Sequence, residues 1–313
     1  MSVELSQPYH LGIVGEHLGH TWSPAIHTAL LQHLGLQGSY QAYPTPPPNL
    51  ANHLANLAQQ GVVGLNITVP YKQAVLPFVL GLTPQAQAIG AINTLSYSPT
   101  QQGWYGHNTD ADGWWASLPL ALQTRLQQPS SAVLMLGAGG AAKAMLWVLA
   151  QQGVGQVTLA VRNPAKAQAQ LADWWQTALG QTQPLCFCEL PAQEDAAPAT
   201  LSPAFAEACA TADALINTTP LGMLPHTEGL PMPAHALTLC QSDTWLVDAV
   251  YNPRPTRWLT LGAAQGLATV DGLGMLLHQA QRAMAWWTKL PTEAFGTTWL
   301  ATVEQACASV SPP

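Results

Sequence analysis

Charge is the scarcest property of this chain. Only 8% of the residues are charged, 9 basic against 16 acidic, for a formal net charge of −7. No basic cluster occurs, which speaks against nucleic acid or an anionic membrane surface as a partner. The low charge is not a sign of disorder, because disorder needs low hydrophobicity with high charge, and 48% of these residues are hydrophobic. Long apolar runs are missing too: nothing approaches the roughly 18 residues of a membrane span. The opening MSVELSQPYH has neither the basic nor the apolar segment of a secretory signal. The cysteines Cys186, Cys188, Cys209, Cys240 and Cys307 form no CxxC and no zinc spacing. Such scattered thiols point to reduced cysteines and a cytoplasmic protein. The histidines form no HExxH or paired-ligand pattern, so no metal is expected.

What is present is an alternation of short β runs and amphipathic helices. A length of 313 residues suggests roughly two domains. In the first third, residues 10–14, 39–43, 62–69 and 91–97 read as strands. Ser23 is expected to cap a helix with Pro24 at its first position, and Ile26, Leu30 and Leu34 follow at helical spacing. Asn49 can cap a second helix carrying Leu50, Leu54 and Leu57. Another α/β unit is expected to begin near Asp110. Its strands are 132–136, 157–161, 214–217 and 245–250, short and apolar as buried parallel strands are. Residues 180–212 read as a surface insertion with one helix, 271–288 as a strong helix, and the tail after Leu290 as weakly patterned.

One loop has a specific chemistry. Gly137-Ala138-Gly139-Gly140-Ala141-Ala142 follows an apolar strand and opens a helix, the context of the GxGxxG/A dinucleotide fingerprint. The first glycine allows the tight turn. The second lets backbone approach a pyrophosphate, and the third small residue lets helix pack on strand. The helix N-terminus then faces the anion. After the next strand comes Arg162-Asn163-Pro164-Ala165-Lys166, with two cations and no acid. An acid there would select the ribose hydroxyl of NAD, so the cations favour NADP.

Two further stretches end in ionisable residues: Asn66-Ile67-Thr68-Val69-Pro70-Tyr71-Lys72 and Gly106-His107-Asn108-Thr109-Asp110. A hydride transfer between alcohol and ketone needs a group that gives or takes the hydroxyl proton. A lysine can do so, and a nearby aspartate can hold it. Their spacing alone favours two surface charges over a catalytic pair.

The motif set resembles shikimate dehydrogenase along nearly the whole chain. The matching pieces are Gly15 with Thr21-Trp22-Ser23-Pro24 and His27; the stretches ending in Lys72 and Asp110; Gly90-Ala91-Ile92-Asn93-Thr94; the glycine loop; Asn217-Thr218-Thr219-Pro220-Leu221-Gly222-Met223; Tyr251-Asn252-Pro253; and Asp271-Gly272-Leu273-Gly274-Met275-Leu276 with Gln279. The resemblance implies that Lys72 is the general acid/base and Asp110 its partner at the substrate hydroxyls. It implies that Thr21 and Ser23 hold a substrate carboxylate, that Thr68, Asn93 and Gln279 contact ring hydroxyls, and that Tyr251 lies close by. On the cofactor side it implies contacts from Gly137, Ala138, Gly139, Gly140 and Ala141, from Arg162, Asn163 and Lys166, and from Ala249 and Gly272.

The fold class implied is α/β. An N-terminal substrate domain (1–109) is joined to a Rossmann-type, doubly wound NADP-binding domain (110–270), and C-terminal helices (271–313) return to the substrate domain. The cleft between the two is expected to close on binding. The activity implied is NADPH-dependent, reversible reduction of 3-dehydroshikimate to shikimate, a step of aromatic amino-acid biosynthesis. A quinate or dual quinate/shikimate dehydrogenase and a catalytically silent NADP-binding relative are the alternatives. The partner is a small-molecule substrate, with no nucleic acid and no membrane; a homodimer stays open.

The chain departs from the family's pattern in places. The first carboxylate position, commonly serine, is Thr21, whose extra methyl narrows the pocket. The residue before Arg162, commonly asparagine, is Val161. The pairs Trp114-Trp115, Trp174-Trp175 and Trp286-Trp287 read as one ring in the core and one near the surface. Met223 and Met275 read as apolar lining or core, and Cys186-x-Cys188 as inert.

Overall fold

The computed structural model describes residues 7–19, 21–180, 185–191 and 201–310. The chain divides into two compact units, Met1–Gly113 with Leu277–Pro313 and Trp114–Leu276.

In the first unit β1 (Tyr9–Gly15), β2 (Gly38–Pro44), β3 (Gly64–Ile67), β4 (Gly81–Leu82), β5 (Thr94–Ser98) and β6 (Gly103–His107) form one sheet, ordered β2-β1-β3-β5-β6-β4. β1 runs parallel to β2 and β3, whereas β5 runs antiparallel to β3 and β6. The register pairs Val14 with Ile67, Asn66 with Thr94, and Thr94 with His107. The ends of β1, β3 and β6 and the start of β5 therefore meet at one edge of the sheet. The helices here are α1 (Ser23–His33), α2 (Leu50–Gln59), α3 (Tyr71–Ala74), α4 (Pro84–Ile89) and the start of α5 (Asp110–Ser117). Leu50, Leu54 and Leu57 of α2 bury their one apolar stripe against Val14, Leu65, Ile67, Leu95 and Trp104 of the sheet.

The second unit holds α6 (Leu120–Leu126), β7 (Ala132–Leu136), α7 (Gly140–Gln151), β8 (Gln156–Val161), α8 (Pro164–Asp173), β9 (Cys186–Glu189), α9 (Pro203–Thr211), β10 (Ala214–Asn217), β11 (Trp245–Asp248), α10 (Arg257–Ala264) and β12 (Ala268–Val270). Its sheet is wholly parallel, in the order β12-β11-β10-β7-β8-β9. That is the strand order of the doubly wound dinucleotide fold, with its switch point between β7 and β10.

The chain returns to the first unit through α11 (Leu273–Thr288), which starts in the second, and ends in α12 (Trp299–Ser309). Trp287 of α11 donates from Nε1 to the Leu95 carbonyl at 2.8 Å, fixing that helix on the first sheet. His33 Nε2 reaches the Phe295 carbonyl at 2.7 Å, and Trp299, Val303 and Cys307 are buried.

Several expectations are corrected. The tail carries the helix α12 (Trp299–Ser309), which buries Trp299, Val303 and Cys307 on one face. Residues 180–212 are more than an insertion with one helix: residues 186–189 are the edge strand β9, paired to β8. The segments 181–184 and 192–200 lie outside the described residues. Ser23 is not the N-cap of α1. Trp22 holds that position, and Ser23 is the first helical residue. Asn49 precedes α2 but makes no side-chain cap. In each tryptophan pair one ring is buried (Trp114, Trp175, Trp287) and its neighbour half-buried, as expected. Met223 is exposed, so it is not part of the core. Burial pushes the Cys188 thiol up to about 11, in keeping with an inert cysteine.

Candidate active site

The first unit gathers most of the predicted substrate residues at one sheet edge. Lys72 sits on α3, immediately beyond β3, and Asp110 opens α5 just beyond β6. Lys72 Nζ and Asp110 Oδ2 are 2.7 Å apart, with side-chain exposures of 20% and 7%. An ion pair so shielded is held far more firmly than a surface pair, which water screens. The carboxylate is aimed by its surroundings. Asn93 Nδ2 donates to Asp110 Oδ1 at 2.8 Å and to Thr109 Oγ1 at 2.9 Å. The Thr109 N–H donates back to Asn93 Oδ1 at 2.8 Å. The Asp110 N–H donates to Asn108 Oδ1 at 3.0 Å, and Asn108 Nδ2 donates to the Ala91 carbonyl at 3.0 Å. The Lys72 carbonyl accepts from the Ile92 N–H at 2.7 Å, which ties α3 to the Gly90–Thr94 motif. Every member of this network but Lys72 is buried, so each polar group needs the partner it has.

The network extends under the sheet edge. Thr94 Oγ1 donates to Asn93 Oδ1 at 2.8 Å. Asn66 Nδ2 donates to the Asn93 carbonyl at 3.3 Å, and Tyr40 Oη donates to Asn66 Oδ1 at 2.7 Å. Tyr40 stacks on His27 with ring centroids 4.2 Å apart. Burial pushes the His27 imidazole down to about 3, so this stack is neutral at ordinary pH.

The other predicted groups take distinct places. Thr21 Oγ1 donates to Ser23 Oγ at 3.1 Å and accepts the Ser23 N–H at 3.3 Å. Thr21 thus satisfies the unpaired N–H of the first helical residue, and both hydroxyls remain at the start of α1. Thr68 is anchored through its backbone, from its N–H to the Val14 carbonyl at 3.0 Å and from the Tyr71 N–H to its own carbonyl at 2.8 Å. Gln279 of α11 is buried, with Oε1 3.5 Å from Thr109 Oγ1. α5 and α11 touch backbone to backbone here: a Cβ on Gly113 would lie 2.7 Å from Gln279 N and 2.8 Å from its Cα. Gly113→Ala should therefore push α11 away, raise the KM for substrate, and cost about 1–3 kcal/mol of stability. Thermal melting and steady-state kinetics check this.

Tyr251 belongs to the second unit, on the loop after β11 that also carries Ala249; Gly272, in the same unit, follows β12. The groups that sequence reasoning left unassigned are Tyr40, Asn66, Asn108 and Thr109. Three of them stand inside the quoted motifs; Tyr40 carried no signal at all.

The second unit supplies a cradle at its switch point. Gly137 has φ +95°, a conformation that favours glycine, and a Cβ there would lie 2.8 Å from Thr219 Cγ2. A Cβ on Gly139 would meet nothing within 4 Å. The space in front of Gly139 is thus left open, as close approach of a phosphate requires. No side chain caps α7, so its first N–H groups are available to an anion. Ala142 is fully buried, as helix-to-strand packing demands. Beyond β8, Arg162, Asn163 and Lys166 are exposed; Asn163 Oδ1 caps α8 by accepting from the Lys166 N–H at 2.9 Å. The Ala249 N–H donates to the Asn217 carbonyl at 3.0 Å and the Gly272 N–H to the Val250 carbonyl at 3.1 Å. The cradle, the uncapped helix and the acid-free loop fit a phosphorylated dinucleotide.

A family model described as the shikimate dehydrogenase substrate binding domain matches residues 13–95. A shikimate dehydrogenase (NADP(+)) of Thermosynechococcus vestitus is 37% identical over 281 residues, 90% of this chain and 90% of that protein. The chain belongs to the shikimate dehydrogenase family. A crystal structure of the shikimate 5-dehydrogenase of Thermus thermophilus, in complex with NADP(H) and shikimate, is similar over 95% of this chain and 99% of that one, with a TM-score of 0.74 and 29% identity. The quinate dehydrogenase of Corynebacterium glutamicum, in complex with NAD, is similar over 97% of this chain and 99% of that one, with a TM-score of 0.78 and 28% identity. Within the shikimate dehydrogenase fold, then, overall likeness does not separate one cyclic acid or one cofactor from another. That separation has to come from individual side chains.

Proposed function

We propose that this chain catalyses the reversible, NADPH-dependent reduction of 3-dehydroshikimate to shikimate. The observation that carries the reading is the shielded Lys72–Asp110 pair, 2.7 Å apart, in a chain of this family. NADPH, when bound, supplies the hydride that goes to the ring carbonyl carbon. Lys72, an ammonium paired with Asp110, is in the state that gives a proton to the alkoxide forming on the ring oxygen. Asp110 orients Lys72 through Oδ2 while Asn93 holds Oδ1. Asn93, Thr68 and Gln279 are the hydroxyl contacts in this reading. Thr21 and Ser23, at the start of α1, take the carboxylate, where the helix dipole favours an anion. When NADPH is bound, Gly137 to Ala141 would cradle the pyrophosphate, Gly272 and Ala249 would face the nicotinamide, and Arg162 with Lys166 and Asn163 would meet the 2′-phosphate.

One assay tests the whole reading: shikimate and quinate, each with NADP and with NAD. The expected result is a kcat/KM highest for shikimate with NADP. A preference for quinate or for NAD would move the chain to the quinate dehydrogenase alternative. NADP binding without turnover of either acid would make it a silent relative. The partner is a small molecule in each case, and no described helix is long and apolar enough to cross a membrane. Light scattering decides between monomer and homodimer.

A further inference from the structure

Asp248, the last residue of β11, is 1% exposed and takes part in no ion pair among the described residues. Its carboxylate accepts three hydrogen bonds from neutral donors. Oδ1 takes Asn217 Nδ2 at 2.9 Å and the Val250 N–H at 3.0 Å; Oδ2 takes the Thr256 hydroxyl at 2.8 Å. Burial pushes its pKa up to about 6, against the pull of those three donors. The other charge acting on it is Asp271, which pushes the same way and is itself paired with Arg254 at 2.7 Å. A buried carboxylate without a cation is an expensive way to fill this position, since an asparagine has nearly the same shape and no charge to desolvate.

The bonds lead to the cofactor cradle. Asn217, held by Asp248, accepts at Oδ1 both the N–H and the hydroxyl of Thr219, at 2.9 and 2.7 Å. Thr219 Cγ2 is the atom that a Cβ on Gly137 would strike. Val250, held by its N–H, offers its carbonyl to the Gly272 N–H at 3.1 Å. A Cβ on Gly272 would lie 2.2 Å from the Ala249 carbonyl oxygen, so the two loops are backbone against backbone. One carboxylate thus sets the loops after β10 and β11, each packed on a glycine assigned to the cofactor.

The geometry points to Asp248 as a positioning residue for NADPH: in its ionised form it holds Thr219 and Val250, and through them the walls at Gly137 and Gly272. This rests on the cofactor reading given above. Asp248→Asn keeps the shape and removes the charge. At pH 8 its Kd for NADPH should be about tenfold above wild type, the loss expected when charge-assisted hydrogen bonds become neutral ones. As pH falls through about 6 wild type becomes protonated at Asp248, and the ratio of the two Kd values should fall towards one. The 2′-phosphate of NADPH titrates in the same range, but it does so with both proteins and cancels in the ratio. At saturating NADPH, kcat should stay within about twofold, because the change is in binding.

The stability readout has the opposite sign. A folded pKa raised from 3.8 to about 6 contributes stability below the unfolded value, and that contribution is lost as pH rises through about 6. At pH 7, therefore, Asp248→Asn should melt no lower than wild type. A Kd ratio near one at pH 8, or a ratio independent of pH, overturns the proposal. A second measurement needs neither variant nor cofactor. In wild type, the Thr219 and Val250 amides should lose exchange protection between pH 7.5 and pH 5, after correction for intrinsic rates. If wild type binds no NADPH, the cofactor reading fails, and this exchange decides the role of Asp248 alone: unchanged protection overturns it.

Discussion

Lys72→Ala should lower kcat by about three orders of magnitude, the range in which a positioned general acid acts. The Kd for NADPH should hardly move, because the cofactor cradle is built from other residues. The reason for the size of the effect is local. The Lys72 ammonium is 2.7 Å from a carboxylate that Asn93, itself held by Thr109, keeps in place, so its proton is presented in a fixed direction. Water entering the space of the lost side chain is a poorer acid with no such orientation. A small primary amine added to the assay should restore part of the rate, which a merely misfolded variant would not allow. Single-turnover kinetics separate chemistry from binding, and wild-type turnover in the variant would remove Lys72 from the mechanism. Asp110 would be left buried without its cation, so a lower melting temperature should accompany the loss.

Arg162→Ala should raise the KM for NADPH by roughly 10- to 100-fold while changing that for NADH much less. A guanidinium can grip a phosphate in two places, and each charge-assisted bond contributes about 1.5–3 kcal/mol. Arg162 stands exposed beyond β8, with no acid in its segment to repel a 2′-phosphate. Lys166, exposed on the first turn of α8, retains some attraction in the variant, so binding should weaken rather than vanish. The ratio of kcat/KM for the two cofactors is the measurement. An unchanged ratio would place the 2′-phosphate elsewhere.

Much of the fold was legible. β7 and β10 match their expected bounds, and α7 opens within the glycine loop as expected, because a run of apolar residues between turn signals is a local pattern. The misses have physical causes. β6 reads Gly-Trp-Tyr-Gly-His, which looks like a loop, since glycine is a poor strand former. Gly106 is nonetheless needed there: a Cβ would lie 2.5 Å from Ile92 Cδ1 and 2.8 Å from Leu82 Cδ2. β9 and β12 are short edge strands that depend on their neighbours for hydrogen bonds, so no period announces them. Ser23 was expected to cap α1 on residue type alone. The structure moves the cap to Trp22 and lets Thr21 serve the backbone donor, a choice between neighbours that propensity cannot make.

The same division runs through the site. The amino-acid order by itself determined what is local: the glycine turn at Gly137, the helix start behind it, the cations beyond β8, and the motifs that mark the family. Hydrogen bonds and sterics within a few residues are enough for these. Only the tertiary structure brought together Lys72 with Asp110, Asn93 with Asp110, Thr109 with Gln279, and Asp248 with Asn217. Those partners are 38, 17, 170 and 31 residues apart in the chain. Their meeting is set by strand register. Pairing Asn66 with Thr94 and Thr94 with His107 carries three separate chain reversals to one sheet edge, and a slip of one residue would turn the side chains to the opposite face.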